Sequence, residues 1–185
     1  MGNFIFKETS IKGLYVIEPK IFSDDRGYFM ENYNSVDFLN AGLDMIFVQD
    51  NESKSKKGVL RGLHFQTKNT QGKLVRVTKG EVYDVAVDLR KESPTFGKWE
   101  GIILTEENKK QFYIPEGFAH GFLVLSEEAI FNYKCTNYYA PMYDSGVLWN
   151  DPKIGIKWPL ENITELIISD KDKKQKKLSE LELPF

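Results

Sequence analysis

Apolar and polar residues alternate along many short stretches of the chain, and glycine, proline, asparagine or aspartate separates these stretches. In the stretch 81–89, Val85 and Val87 fall on one face of an extended segment, while Asp84 and Asp88 fall on the other. A period of two is typical of β-strands, and short strands between turn residues are typical of antiparallel sandwiches and barrels. We therefore predict an all-β fold with strands at 14–17, 59–65, 74–78, 81–89, 101–104, 111–114, 122–125 and 129–136.

Helical patterns are few and short. Ser35 can cap the start of a helix at 35–41, and Gly42 can end it. From Lys171 to Lys177 the chain is rich in lysine, which predicts a solvated turn or short helix at the surface. A length of 185 residues suits one domain, residues 1–185, with this lysine-rich segment as its tail.

Charge and cysteine content narrow the range of functions. The formal net charge of -2 argues against a nucleic-acid-binding or membrane-surface protein, which would need a strongly basic face. Cys135 is the single cysteine, and the first residues lack the features of a secretory signal. No apolar run is long enough to cross a bilayer. We expect a cytoplasmic protein, and we expect any anion that it binds to be small.

The two histidines, His64 and His120, both lie in glycine-flanked segments that resemble strands. An isolated histidine is more often structural than catalytic, so the spacing around each one has to carry the argument. Counted from Gly58, His64 falls at the first ligand position of a degenerate first cupin motif. The spacing of Pro115, Gly117 and His120 resembles the second cupin motif.

Two ligand positions of the first motif carry residues that do not suit a metal. Metal-binding cupins have a second histidine and a glutamate where this chain has Gln66 and Lys73. An ammonium group repels a divalent cation, and the remaining histidines cannot complete a normal site. We therefore predict that the protein binds no metal. Lys73 suits another task, because a fixed positive charge beside a carbonyl oxygen stabilises an enolate.

The alternation also predicts where two further side chains point. Lys73 shares a face with Val75, and Tyr133 shares a face with Phe131, so both are expected to point inward. An inward tyrosine is commonly a core residue with a bonded hydroxyl. With a base and an oxyanion-stabilising group nearby, it could instead donate a proton.

A series of ordered motifs extends over nearly the whole chain, including VLRGLHFQ at 59–66 and IPEGFAHGF at 114–122. Further pieces lie at 25–31, 48–51, 71–75, 84–90, 93–97, 133–136, 149–152 and 169–172. Together they resemble the dTDP-4-dehydrorhamnose 3,5-epimerase family, the metal-free cupin enzymes of dTDP-L-rhamnose synthesis. The resemblance implies a jelly-roll subunit in a homodimer whose N-terminal strands lend residues across the interface.

The resemblance also implies roles for individual residues. It makes His64 the base that removes the C3 and C5 protons and Asp172 the carboxylate that orients it, with Asp170 as the alternative. Tyr133 becomes the acid on the opposite face of the sugar, and Lys73 stabilises the enolate at O4. The implied substrate is a dTDP-linked 4-keto-6-deoxy sugar, and the implied reaction needs no cofactor.

Contacts to the diphosphate and nucleoside are implied for residues with charged or amide side chains: Arg26, Glu31, Gln49, Asp50, Asn51, Arg61, His120 and Lys171. Arginine suits this work because its guanidinium can grip a phosphate at two points. Asp144 stands where the family often has glutamate, so its contact is shorter or passes through water. Glu31 and Asp50 also fit purely structural roles.

Three other functions remain open from the sequence. The first is a sister enzyme on the same scaffold that inverts only C3 or only C5, or that isomerises the keto group. The second is a metal-dependent cupin, which Gln66 and Lys73 disfavour. The third is a noncatalytic module that binds sugar nucleotides.

Overall fold

The computed structural model describes residues 2–185, which fold mainly into β-strands. These are β1 (Phe4–Glu8), β2 (Tyr15–Pro19), β3 (Phe22–Asp24), β4 (Gly27–Phe29), β5 (Gln49–Lys56), β6 (Val59–Gln66), β7 (Lys73–Lys79), β8 (Glu81–Asp88), β9 (Trp99–Thr105), β10 (Gln111–Ile114), β11 (Phe118–Val124), β12 (Glu128–Cys135), β13 (Asp144–Gly146) and β14 (Ile167–Ile168). The helices are α1 (Ser35–Asn40) and α2 (Asp170–Lys173), with 3-10 turns at Pro141–Tyr143 and Leu178–Glu180. Within residues 2–185, no helix is long and apolar enough to span a membrane.

Two large sheets account for most of the strands. The first has the order β1-β2-β10-β7-β12-β5, and the second has the order β13-β6-β11-β8-β9. Neighbouring strands in both orders are antiparallel, while the short β14 adds to β6 in the parallel sense. The remaining strands, β3 and β4, form a separate hairpin. The predicted all-β architecture is confirmed.

The main core lies between the two sheets. Val75 and Phe131 enter it from the first sheet, and Val82 and Ala86 enter it from the second. Strand β8 is buried on both faces, since Val85 and its neighbours pack instead against the segment that follows β13. Asp84 and Asp88, which point from β8 toward the main core, are both fully buried.

Helix α1 covers the outer face of the first sheet. Phe38 packs there in a cluster with Ile17, Leu74 and Tyr113. The expected N-cap was wrong by one residue. The side chain of Asn34, not that of Ser35, accepts hydrogen bonds from the first free N–H groups of the helix. Asn34 has the extended backbone that an N-cap requires, whereas its neighbour is already helical.

Strand β5 has no counterpart among the predicted strands. Its sequence, QDNESKSK, lacks apolar residues, yet it pairs with β12 along its whole length. It lies at the edge of the first sheet, so its polar side chains can face solvent while its backbone bonds to one neighbour. Strands β1, β3, β4, β13 and β14 were also missed, because each is short or mostly exposed.

Asp88 organises the turn after β8. Its buried carboxylate accepts hydrogen bonds from Arg90 at 2.8 Å, Ser93 at 2.6 Å and Thr95 at 2.7 Å. Burial alone would raise the pKa of Asp88, but these hydrogen bonds outweigh it and lower the pKa to about 2. The charged carboxylate therefore stabilises the folded protein.

Replacing Asp88 with asparagine should lower the free energy of unfolding at pH 7 by about 2 kcal/mol. A carboxyl with a lowered folded-state pKa contributes stability above its unfolded pKa and loses it as the pH falls through the folded value. The deficit should therefore shrink between about pH 4 and pH 2. Denaturant unfolding at both ends of this range, at one protein concentration, measures it. Asp44→Asn, at an exposed position, is the control; an equal deficit at both pH values would contradict the prediction.

Candidate active site

A cavity of about 630 Å³ opens between the two sheets. This volume is in the range typical of sites for small organic ligands. Many of the residues singled out in the sequence line it: Arg61, His64, Lys73, His120, Tyr133, Asp144, Lys171 and Asp172. Residues from β6, β7, β11, β12, β13 and α2, distant in sequence, therefore meet around one space.

The two histidines enter the cavity from adjacent strands. His120 on β11 lies directly opposite His64 on β6, so the two side chains share one face of the second sheet. Gly62 and Gly121 allow β6 and β11 to approach each other closely next to the two histidines. A Cβ added at Gly62 would lie 2.6 Å from the Gly121 Cα, and the Gly62 φ of +121° also disfavours a side chain.

His64 is paired with a buried carboxylate. Its Nε2 lies 2.7 Å from Asp172 Oδ1, and Asp172 also accepts a hydrogen bond from the Gly62 N–H at 3.2 Å. Burial would raise the pKa of Asp172, but the hydrogen bonds from His64 and Gly62 outweigh it and hold the pKa below its ordinary value. The Asp172 carboxylate is thus charged and suited to stabilise an imidazolium.

The alternative partner, Asp170, does not reach the imidazole. Its side chain is 89% exposed and lies 3.8 Å from Lys173, whereas Asp172 is only 4% exposed. Both acids belong to α2, which follows β14 at the edge of β6. The lysine-rich segment begins in a short helix, one of the two forms expected, but it is not solvated throughout, because Asp172 points into the protein.

A second histidine–carboxylate pair lies beside the first. Both carboxylate oxygens of Asp84 lie within 3.0 Å of His120 Nε2, and Asp84 is fully buried. Burial lowers the pKa of His120 more than Asp84 raises it, so the imidazole is neutral near pH 7. The sequence analysis did not propose Asp84 as a site residue. The available signal was an acid in the middle of an apolar strand.

Lys73 brings a half-buried ammonium group to the cavity. In the part of the chain that the structure describes, it forms no ion pair with a carboxylate. Burial lowers the pKa of Lys73, while Cys135, Asp84 and Asp144 act in the opposite direction. The ammonium is therefore available to an anionic or carbonyl oxygen of a ligand. Within residues 2–185, no three His, Cys, Asp or Glu side chains converge as metal ligands.

Tyr133 faces the cavity from β12, as the alternation predicted. It packs against the core between the sheets and beside Phe131. Burial, with a further contribution from Cys135, raises the pKa of Tyr133, so its hydroxyl carries a proton at neutral pH. Tyr133 belongs to the first sheet and His64 to the second, so a ring held between the sheets would have one of them on each side.

Charged residues at the cavity wall are held in place by neighbours. Arg61 donates from Nε and Nη2 to Ser55 Oγ, each at 3.1 Å. Lys171 forms a short ion pair with Asp144, which also accepts a hydrogen bond from the Tyr139 hydroxyl at 3.0 Å. The sequence analysis proposed neither Ser55 nor Tyr139.

Five of the proposed contact residues do not line this cavity: Arg26, Glu31, Gln49, Asp50 and Asn51. Arg26 lies on the β3–β4 hairpin, pairs with Asp24, and has a side chain that is 89% exposed. Glu31 accepts a hydrogen bond from Asn3 at 2.7 Å.

The β5 residues of this set make side-chain hydrogen bonds at the edge of the first sheet. Gln49 bonds to Asn51 at 2.9 Å, and Asp50 bonds to Lys134 at 2.6 Å. Asn51 donates to the Cys135 Sγ at 3.6 Å, beside the strand that carries Tyr133. These side chains therefore border the site without entering its cavity.

Comparisons with known proteins agree over almost the whole chain. The family model described as dTDP-4-dehydrorhamnose 3,5-epimerase matches residues 8–180. A dTDP-4-dehydrorhamnose 3,5-epimerase of Methanothermobacter thermautotrophicus is 59% identical over 180 residues, which cover 97% of this chain and 97% of that protein.

Solved structures show the same similarity. A dTDP-6-deoxy-D-glucose-3,5-epimerase of Legionella pneumophila in complex with dTDP-4-keto-L-rhamnose has a TM-score of 0.93 at 50% identity, covering 97% of this chain and 95% of that one. A 3'-monoepimerase of Streptomyces bikiniensis in complex with dTDP-quinovose has a TM-score of 0.86 at 36% identity, covering 92% of this chain and 86% of that one.

The matched residues include the whole cavity. Both sheets and α2 fall inside the range 8–180, apart from the first strand residues of β1. The expected cupin-like jelly roll is confirmed by the structural similarity. This chain belongs to the dTDP-4-dehydrorhamnose 3,5-epimerase family.

Proposed function

We propose that this protein is an isomerase that inverts C3 and C5 of dTDP-4-dehydro-6-deoxy-D-glucose, giving dTDP-4-dehydro-L-rhamnose. One observation carries the proposal: a carboxylate-bound imidazole and a protonated tyrosine reach one cavity from opposite sheets, with an unpaired ammonium group in the same cavity. Inversion next to a ketone needs these three groups, and it needs neither a metal nor a redox cofactor.

His64 is the base. The C4 ketone acidifies the hydrogens on C3 and C5, and a neutral imidazole can accept either one. Because Nε2 faces Asp172, Nδ1 is the nitrogen left to receive the proton. Asp172 then stabilises the imidazolium, as the carboxylate does in other His–Asp pairs.

Lys73 stabilises the intermediate. When the C–H bond breaks, its electron pair forms the enolate, and negative charge gathers on O4. An ammonium group placed in advance and partly shielded from water is effective there, because it need not reorient as the charge develops. The partial burial of Lys73 and its freedom from carboxylate partners support this role.

Tyr133 completes each inversion. Its hydroxyl gives a proton to the ring carbon on the face away from His64, and the C–H bond re-forms with the opposite configuration. Solvent then returns a proton to Tyr133 and removes one from His64. The cycle repeats at the second carbon.

The nucleotide end of the substrate needs cations. We assign the diphosphate to Arg61 and Lys171 at the cavity wall, with Asp144 setting the position of Lys171. His120, Gln49, Asp50 and Asn51 border the same region and remain proposed contacts.

The protein acts as a homodimer in this proposal. Phe22, Tyr28 and Phe29 of the β3–β4 hairpin are exposed to solvent. A cluster of exposed aromatic side chains is typical of a surface that another protein chain covers. Pairing would cover them and would carry Arg26 and Glu31 of each subunit to the cavity of the other. The single buried Cys135, without a disulfide, suits the reducing cytoplasm.

The proposed function is tested by incubating the protein with dTDP-4-dehydro-6-deoxy-D-glucose in deuterated water and following the sugar by NMR. Deuterium at both C3 and C5, with inversion at both, is the expected result. Similarity to a 3'-monoepimerase supports one alternative, inversion of C3 alone, which would leave C5 unlabelled. No exchange at either carbon would overturn both.

Replacing Tyr133 with phenylalanine should separate exchange from inversion. The variant keeps the apolar packing and the base but lacks the proton donor, so the enolate forms and is reprotonated from the side that it left. Inversion should fall about a hundredfold while deuterium exchange falls much less. One NMR time course records both rates.

Tyr83→Phe is the matched control, because this tyrosine packs in the cluster on the outer face of the second sheet. It should leave both rates unchanged. An equal fall of exchange and inversion in Tyr133→Phe would show that Tyr133 is not a distinct acid.

A further inference from the structure

Gln66 lies at the end of β6 and is only 4% exposed. Its Nε2 donates to the carbonyl of Asn69 at 2.6 Å and to the carbonyl of Tyr138 at 3.2 Å. Its Oε1 accepts from the N–H of Ala140 at 2.7 Å. Both amide hydrogens and the carbonyl oxygen are thus engaged with backbone groups.

Two of the three partners of Gln66, Tyr138 and Ala140, belong to the loop 136–143, which joins β12 to β13 and carries Tyr139 to the cavity. The loop returns to β6 immediately afterwards, because Asp144 pairs with Gln66 in the β13–β6 ladder. The backbone N–H of Thr67 also donates to the Tyr143 carbonyl at 2.9 Å. Gln66 therefore lies against this loop, and its side chain bonds to backbone groups of the loop that are not paired in a strand.

The loop in turn sets the residues at the cavity mouth. The Tyr139 N–H donates to Gln49 Oε1 at 2.9 Å, and its hydroxyl donates to Asp144 at 3.0 Å. Asp144 holds the ammonium group of Lys171. A chain of contacts thus runs from the buried amide of Gln66, through the loop, to the cation at the mouth.

We propose that Gln66 is a positioning residue for the nucleotide end of the substrate: it holds the loop 136–143 so that Tyr139 and Asp144 place Lys171 for the diphosphate. This inference rests on the proposed function. Gln66 takes no part in proton transfer, since its amide is fully used by the backbone. An amide suits the position because it offers two donors and one acceptor together, whereas a neutral imidazole offers one of each.

Gln66→Met tests the proposal, because methionine nearly matches the shape of glutamine and makes none of its hydrogen bonds. We expect the Kd for dTDP, measured by calorimetry, and the KM to rise about tenfold or more, since three backbone groups lose their partner. The kcat should stay within about threefold. Hydrogen exchange should quicken in 136–143 and remain slow in β8.

Gln111→Met is the matched control for general destabilisation. Gln111 is equally buried and donates to the Asn32 carbonyl at 2.8 Å, but it lies outside the cavity. This variant should lower the melting temperature and leave the Kd for dTDP unchanged. If Gln66→Met does not fold, Gln66→Glu, which keeps only the acceptor for Ala140, takes its place with the same expected direction.

The outcomes separate the two proposals. Failure of the parent protein to bind dTDP would overturn the proposed function, and this inference with it. Binding by the parent with an unchanged Kd in the folded Gln66 variant would overturn this inference alone. A fall in kcat at constant KM would also overturn it, because Gln66 would then act on the chemistry.

Discussion

Replacing His64 with asparagine should abolish deuterium exchange at both C3 and C5 and lower kcat about ten-thousandfold, the upper end for loss of a general base. The proposed mechanism assigns both proton abstractions to this one imidazole. Asparagine can still bond to Asp172, so the buried carboxylate keeps a partner and the fold is preserved. NMR in deuterated water measures exchange at each carbon separately.

The two acids of α2 supply the control for this prediction. Asp172→Asn should slow exchange at both carbons in parallel, because it weakens the support of the imidazolium at a distance of 2.7 Å. Asp170→Asn changes a carboxylate that is exposed and remote from His64, and it should have no effect. Exchange that survives at one carbon in His64→Asn would require a second base and contradict the single-base mechanism.

Replacing Lys73 with methionine should lower kcat about a thousandfold, which is typical of losing one preorganised oxyanion donor in a dry site. Exchange and inversion should fall together, because both need the enolate. This pattern differs from that of Tyr133→Phe, in which exchange outlives inversion. The rates of exchange and inversion from one NMR time course therefore distinguish the role of Lys73 from that of Tyr133.

The pH dependence adds a second measurement for Lys73. Burial lowers the pKa of its ammonium, so activity that depends on the charge should decline at a lower pH than for an ordinary lysine. Lys73→Arg keeps a charge at any accessible pH, and whatever activity it retains should lack this alkaline decline. If the activity of Lys73→Arg declined at the same alkaline pH as that of the parent protein, the decline would belong to another group.

The alternation of apolar and polar residues was sufficient to predict β2 and β6 to β12, because these strands bury at least one face. It could not reveal β5, in which backbone pairing with β12 sets the conformation of an entirely polar segment. It also could not show that β8 is covered on both sides, since the second cover is the distant segment that follows β13.

The candidate catalytic residues were identified from local motifs together with a family resemblance. Local pattern alone placed Lys73 and Tyr133 facing inward, and strand periodicity is a property of neighbouring residues in sequence. It could not choose between Asp170 and Asp172, which lie in one short helical turn. The choice depends on how α2 meets β6, a contact across 108 residues of chain.

The residue types therefore determined which chemistry is possible: a lysine at a lost metal-ligand position, two histidines and an inward tyrosine. Tertiary structure decided which groups act together. It paired His64 with Asp172 and His120 with Asp84, and it placed base and acid on opposite sheets. The physical reason is that hydrogen bonding, burial and the resulting pKa shifts depend on distances between atoms, and those distances arise only when separate strands pack around a common cavity.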